Sequence, residues 1–63
     1  MHNNIRTLRK ELGYSQEKLA QYTNVSRQTI NAIENNKYDP TLELAFRLAK
    51  VLGVTVDTLF FPE

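Results

Sequence analysis

The sequence predicts an all-α fold: five short helices in a single domain spanning residues 1–63. Three observations predict it. Apolar residues recur at spacings of three and four, the period of a helix with one buried face. Ser15, Ser26, Thr41 and Thr55 each stand just before such a run, where a hydroxyl can cap the first free backbone N–H groups. Gly13, Asn24, the Asn35-Asn36 pair and Gly53 interrupt the pattern with residues that tolerate a left-handed backbone. No stretch carries the signal of a strand.

The first helix is expected from about Asn4 to Leu12, with Ile5, Leu8 and Leu12 on one face and Gly13 as its stop. Ser15 caps the second, and Glu17 complements its positive first turn. Lys18 occupies the position where a full capping box carries Glu or Gln. After a break at Thr23-Asn24-Val25, Ser26 caps a third helix that ends near Asn35-Asn36. Lys37-Tyr38-Asp39-Pro40 is the one sustained loop. Thr41 then caps a fourth helix over about Leu42 to Leu52, where Leu44, Ala45, Leu48, Ala49 and Leu52 form the apolar stripe and Gly53 ends it. Thr55 caps a last short helix carrying Val56, Leu59 and Phe60.

Sixty-three residues sit near the lower limit for independent folding. A chain this short buries only about 60% of its unfolded surface, so its core must be efficient or a second subunit must supplement it. With no cysteine there is no disulfide framework, zinc–thiolate site or thiol nucleophile. No apolar run reaches the ~18 residues of a membrane span, and the start MHNNIRTLRK lacks the apolar region of a signal peptide. A soluble, cytoplasmic protein without a membrane partner is expected. Net charge is only +1, but it is unevenly distributed. Residues 1–38 carry six basic against three acidic side chains, and residues 39–63 carry two against four. One half is suited to face phosphate.

The segment Gln16 to Asn35, QEKLAQYTNVSRQTINAIEN, has the layout of a helix-turn-helix. Leu19, Ala20, Ile30 and Ile33 supply the contact between its two helices, with Ala20 small enough for close approach. The outer face of the second of these offers Arg27, Gln28 and Asn31 in place of the usual Glu and Lys. Arginine pairs with guanine, and Gln or Asn with adenine, in the major groove of DNA. The plain alternative is an amphipathic helix with a polar exposed face. Glu34 lies on the inner face, where a lone carboxylate is costly; an ion pair with Arg6 is expected to hold it, in preference to a catalytic role. Gln16, Ser26, Asn35 and Lys37 are placed to meet phosphates on either side of the groove. Tyr38 either joins them or packs over its loop.

These residues resemble the lambda-repressor-like, Xre-type helix-turn-helix family, which includes the phage Cro and repressor DNA-binding domains. IRTLRKELGYSQEKLA, NVSRQTINAIENNKYDPTLELAFRLAKVLGV and TVDTLF carry the resemblance over nearly the whole chain. It implies a five-helix fold and operator binding as a homodimer. Arg27, Gln28 and Asn31 would meet bases, and Ala32 a thymine methyl. Gln16, Asn35 and Lys37 would meet phosphate, and Arg6 would pair with Glu34. Asn24 and Asn36 stand where the family often has glycine, a departure that asparagine tolerates.

Leu59-Phe60-Phe61 places three large apolar residues beside the end of the sequence. An exposed aromatic patch there suggests a self-association surface, although Phe61 could also cap the core. A twofold dimer would set two reading helices ~34 Å apart and require a palindromic operator. An enzyme is disfavoured: the one histidine, His2, reads as an unconstrained tail, and no phosphate loop, metal-ligand cluster or nucleophile–base pair is present. No cofactor and no small-molecule site is expected. The remaining rival is a protein-interaction module, such as an antitoxin built on the same fold.

Overall fold

A computed structural model describes residues 1–62. Its elements run β1 (His2–Asn3), α1 (Ile5–Glu11), α2 (Gln16–Thr23), α3 (Arg27–Glu34), α4 (Leu42–Leu52), α5 (Val56–Leu59) and β2 (Phe60–Phe61). Helices α2, α3 and α4 surround a core that includes Leu19, Ile30, Ile33, Leu48 and Leu59, each at most 1% exposed.

Caps explain most of the helix boundaries. The Ser15, Ser26 and Thr41 hydroxyls accept hydrogen bonds from the backbone N–H groups of Lys18, Thr29 and Leu44. Each thereby pairs a donor that the helix itself leaves free. Thr55 also precedes α5, but its hydroxyl bonds to that of Thr58 and makes no cap. Asn24 ends α2 at φ 60° and ψ 42°, the left-handed turn its sequence position requires. After α3 only Asn36 is left-handed, at φ 61°; Asn35 is not, at φ −94°.

Helix α1 differs from its expected face. Leu12 is 48% exposed, and Arg9 is buried instead. Gly13 reverses the chain at φ 77°, the Tyr14 N–H returns to the Arg9 carbonyl at 2.9 Å, and Tyr14 packs against the core. Tyr14 thus takes the place that periodicity assigned to Leu12.

A small sheet was also not expected. His2 pairs with Phe61 and Asn3 with Phe60, antiparallel. Phe60 leaves α5 in an extended conformation, φ −118° and ψ 140°. Alternation along a strand then turns Phe60 inward, 7% exposed, and Phe61 outward, 37% exposed. Leu59 and Phe60, expected in a self-association surface, are therefore core residues of this chain. His2 is no loose tail: its ring stacks on Phe61 with centroids 6.2 Å apart. Strands of two residues are too short to leave a periodic signal, and the packed ends of the chain create them.

No helix among the described residues is long and apolar enough to cross a membrane.

Candidate nucleic-acid interface

Helix α3 is held on its inner face and at its start, and the α2 end that leads into it is tied to α4. Ile30 and Ile33 bury its inner face, the Ser26 hydroxyl fixes its start, and the Arg47 guanidinium donates to the Thr23 carbonyl at the end of α2. Arg27, Gln28 and Asn31 remain exposed on the outer face, with Ala32 half-buried at its edge. Of the residues expected at phosphate, Ser26, Asn35, Lys37 and Tyr38 are exposed and Gln16 is half-buried.

The inner carboxylate is more heavily bonded than its sequence position suggests. The Glu34 side chain has no exposed surface. Arg9 grips it with two bonds, Nε to Oε2 at 2.7 Å and Nη2 to Oε1 at 3.2 Å. Arg6 approaches Oε1 only at 3.4 Å, with its side chain 52% exposed. The expected Arg6 contact exists, but Arg9 is the close, buried partner. Arg9 is not recognisable from sequence as that partner, because an arginine beside an apolar face built on Leu8 and Leu12 is expected in solvent. Its spacing of four from Ile5 was the available signal.

Gln16 donates from Nε2 to the same Oε1 at 3.1 Å. Burial pushes the Glu34 carboxyl upward, but the bonds from Arg9, Gln16 and Arg6 and the charge of Arg9 outweigh it. The net shift is downward. Glu34 stays ionised, and no proton-transfer role follows.

The outer residues are also linked to one another. Asn31 Nδ2 donates to Gln16 Oε1 at 3.4 Å, and Asn35 Nδ2 donates to the Asn31 carbonyl at 2.8 Å and to Asn31 Oδ1 at 3.3 Å. Arg6 Nη2 donates to Asn35 Oδ1 at 3.0 Å. Side chains expected to read bases and side chains expected to hold phosphates thus share one polar network. Among the described residues no group of His, Cys, Asp and Glu is arranged to hold a metal.

Two capped helices, a left-handed turn between them and an exposed polar outer face define a helix-turn-helix domain. The chain belongs to the Xre-like Helix-turn-helix family of transcription regulators, whose profile matches residues 5–59. It is 48% identical over 63 residues to an HTH-type transcriptional regulator of Methanocaldococcus jannaschii, covering 100% of this chain and 96% of the relative. It is 41% identical to YgzD of Bacillus subtilis with the same coverage. Among solved structures, the N-terminal DNA-binding domain of SinR from Bacillus subtilis superposes with a TM-score of 0.82 at 33% identity, covering 94% of this chain and 87% of that one. The restriction-modification controller protein C.AhdI of Aeromonas hydrophila gives a TM-score of 0.82 at 30% identity, covering 89% and 85%. SinR has also been solved in complex with DNA; that chain gives a TM-score of 0.79 at 34% identity, covering 86% of this chain and 87% of its own. The lambda-repressor-like five-helix fold expected from the sequence is therefore the fold of the chain.

Proposed function

We propose that this protein is a sequence-specific DNA-binding repressor that lays α3 in the major groove of a palindromic operator as a homodimer. The observation that carries the reading is the outer face of α3, where Arg27, Gln28 and Asn31 are exposed on a helix whose opposite face is fixed by buried Ile30 and Ile33. Arg27, Gln28 and Asn31 read base edges, and Ala32 meets a thymine methyl. Gln16, Ser26, Asn35, Lys37 and Tyr38 hold the flanking phosphates. The Ser26 hydroxyl oxygen already accepts the cap bond, so its phosphate contact is donated by the hydroxyl O–H or by the backbone N–H.

Leu59 and Phe60 are spent on the core, so of the three residues expected at the pairing surface Phe61 alone remains available, and the exposed apolar residues of α4 supply the rest of that surface. Leu42 and Phe46 are 69% and 58% exposed beside two shallow depressions that share Val56. Glu43, Arg47, Lys50 and Asp57 stand on the same two elements with equal numbers of either sign. A twofold copy of such a surface can meet unlike charges around an apolar centre.

Selection of bound sequences from random DNA, followed by mobility shift at several salt concentrations, tests the reading. An enriched palindrome whose affinity falls steeply with salt is expected. Binding without any enriched sequence removes the base-reading role, and absence of binding favours a protein-interaction module. Sedimentation tests the dimer: Phe46→Ser should shift the protein toward monomer, and an unaltered monomer in both forms rejects the pairing.

A further inference from the structure

We propose that Gln16 and Glu34 are positioning residues for base reading, which set the direction in which the Asn31 carboxamide presents its donor and its acceptor. The inference rests on Asn31 contacting a base. A carboxamide has an oxygen and a nitrogen of nearly equal size, so an unrestrained asparagine can turn over and exchange them. Adenine recognition does not tolerate that exchange, because the amide must accept from N6 and donate to N7.

The hydrogen bonds around Asn31 close into a ring. Arg6 donates through Nη2 to Asn35 Oδ1, Asn35 donates to Asn31 Oδ1, Asn31 donates to Gln16 Oε1, Gln16 donates to Glu34 Oε1, and Arg6 Nε donates to the same oxygen. The two ends of this relay have no choice of role. A guanidinium only donates, and an ionised carboxylate only accepts. Three carboxamides lie between them, so the ring favours one sense of each. Asn31 spends one N–H and one oxygen lone pair on the ring and keeps one of each for a base.

Glu34 thereby acts at a distance. Its side chain is wholly buried and cannot touch DNA, but it fixes the polarity of Gln16, and Gln16 fixes Asn31. An ion pair with Arg9 would serve stability without this extension. The bonds to the Asn31 side chain are long, 3.4 and 3.3 Å, so the ring biases the amide rather than locking it. A weak neutral hydrogen bond corresponds to roughly a two- to tenfold bias.

The test compares Asn31→Ala, Gln16→Met and Asn35→Ala in the whole protein on the selected operator and its single-base-pair variants. Asn31→Ala identifies the base pair that residue reads. Gln16→Met is expected to weaken binding to all sequences, through its lost phosphate contact, and additionally to reduce discrimination at the Asn31 base pair about two- to tenfold. Asn35→Ala should reduce it similarly, and discrimination at the Gln28 base pair should stay unchanged in both. Unaltered discrimination at the Asn31 base pair in both variants, when Asn31→Ala abolishes it, overturns the positioning role. If Asn31→Ala abolishes no preference, the reading beneath the inference has failed and the inference falls with it. In the free protein, Gln16→Met should speed solvent exchange of the Asn31 side-chain NH₂ protons; an unchanged rate rejects the ring without reference to DNA.

Discussion

Arg9 Nε stands 2.7 Å from Glu34 Oε2, with the arginine side chain 10% exposed and the carboxylate fully buried. This pair, joining α1 to α3, is the electrostatic centre of the domain. Arg6 reaches the same carboxylate at 3.4 Å from a largely exposed position. Exposed ion pairs contribute about 0–1 kcal/mol, whereas removing one partner of a buried pair costs about 3–5 kcal/mol, since the other charge is left uncompensated. Arg9→Met should therefore lower unfolding stability by about 3 kcal/mol, the low end because Arg6 and Gln16 remain bonded to Glu34. Arg6→Met should cost less than about 1 kcal/mol. Urea unfolding of the two variants checks the ranking, and equal losses would contradict it.

The same pair sets a pH dependence. Burial raises the Glu34 carboxyl, but the bonds from Arg9, Gln16 and Arg6 bring it below its ordinary value of 4.5. The folded state thus favours the ionised form more than the unfolded state does. Its contribution is complete above the ordinary value and is lost as pH falls through the lower folded value. Glu34→Gln should be less stable than the parent at neutral pH, and the gap should narrow in acid. Asp57 is also shifted downward, chiefly by its bond with Thr55, but it titrates alike in both proteins and cancels in the difference. A gap independent of pH would show that the charge is not its source.

The helices were legible because their ends are written locally. Ser15, Ser26 and Thr41 announce their helices by residue type, and Asn24 and Gly53 close theirs by tolerating positive φ. The outer face of α3 was legible for the same reason, since helical spacing places Arg27, Gln28 and Asn31 away from Ile30 and Ile33. Arg9 was not. Its burial depends on Glu34, twenty-five positions on, and nothing beside Arg9 in sequence announces that partner. The β1–β2 pairing is likewise decided by two chain ends meeting across the core, which is why Phe60 and Phe61 turn opposite ways and Leu59 cannot join a dimer surface.

Asn24 holds the turn between α2 and α3 at φ 60°. A left-handed conformation costs an ordinary L-residue about 1–2 kcal/mol, and asparagine and glycine escape most of that cost. Asn24→Ala should lose about 1 kcal/mol, and Asn24→Gly should be close to neutral. Thermal denaturation distinguishes the two, and an alanine variant as stable as the glycine one would remove the conformational argument.

The proposed DNA contacts divide by what a substitution does to specificity. Gln28→Ala should cost about 1–3 kcal/mol on the preferred site and relax the choice at its own base pair. Lys37→Ala should weaken all sequences alike and reduce the salt slope by about one. Affinity measurements on the operator and its base-pair variants separate these patterns. Loss of equal size on every sequence from both substitutions would reject the division.

Asn3 joins the N-terminal strand to the C-terminal end of α3. Its Nδ2 donates to the Ile33 carbonyl at 2.9 Å and to Asn36 Oδ1 at 3.2 Å, while its Oδ1 accepts the Ile5 N–H at 3.1 Å. One side chain thus serves the start of α1, where Asn4 makes no side-chain cap, and the end of α3. Asn3→Ala removes both sets of bonds and should cost about 1–2 kcal/mol. Asn3→Asp separates them, because a carboxylate still accepts from Ile5 but cannot donate to Ile33. The aspartate variant should recover part of the stability and leave the end of α3 loose. Hydrogen exchange at the Asn36 and Lys37 amides, which bond to the Ile33 and Ala32 carbonyls, reads that looseness directly. Faster exchange there in both variants supports the clamp. Exchange at the parent rate in Asn3→Asp would mean that the end of α3 is held by its own backbone bonds and that Asn3 serves α1 alone.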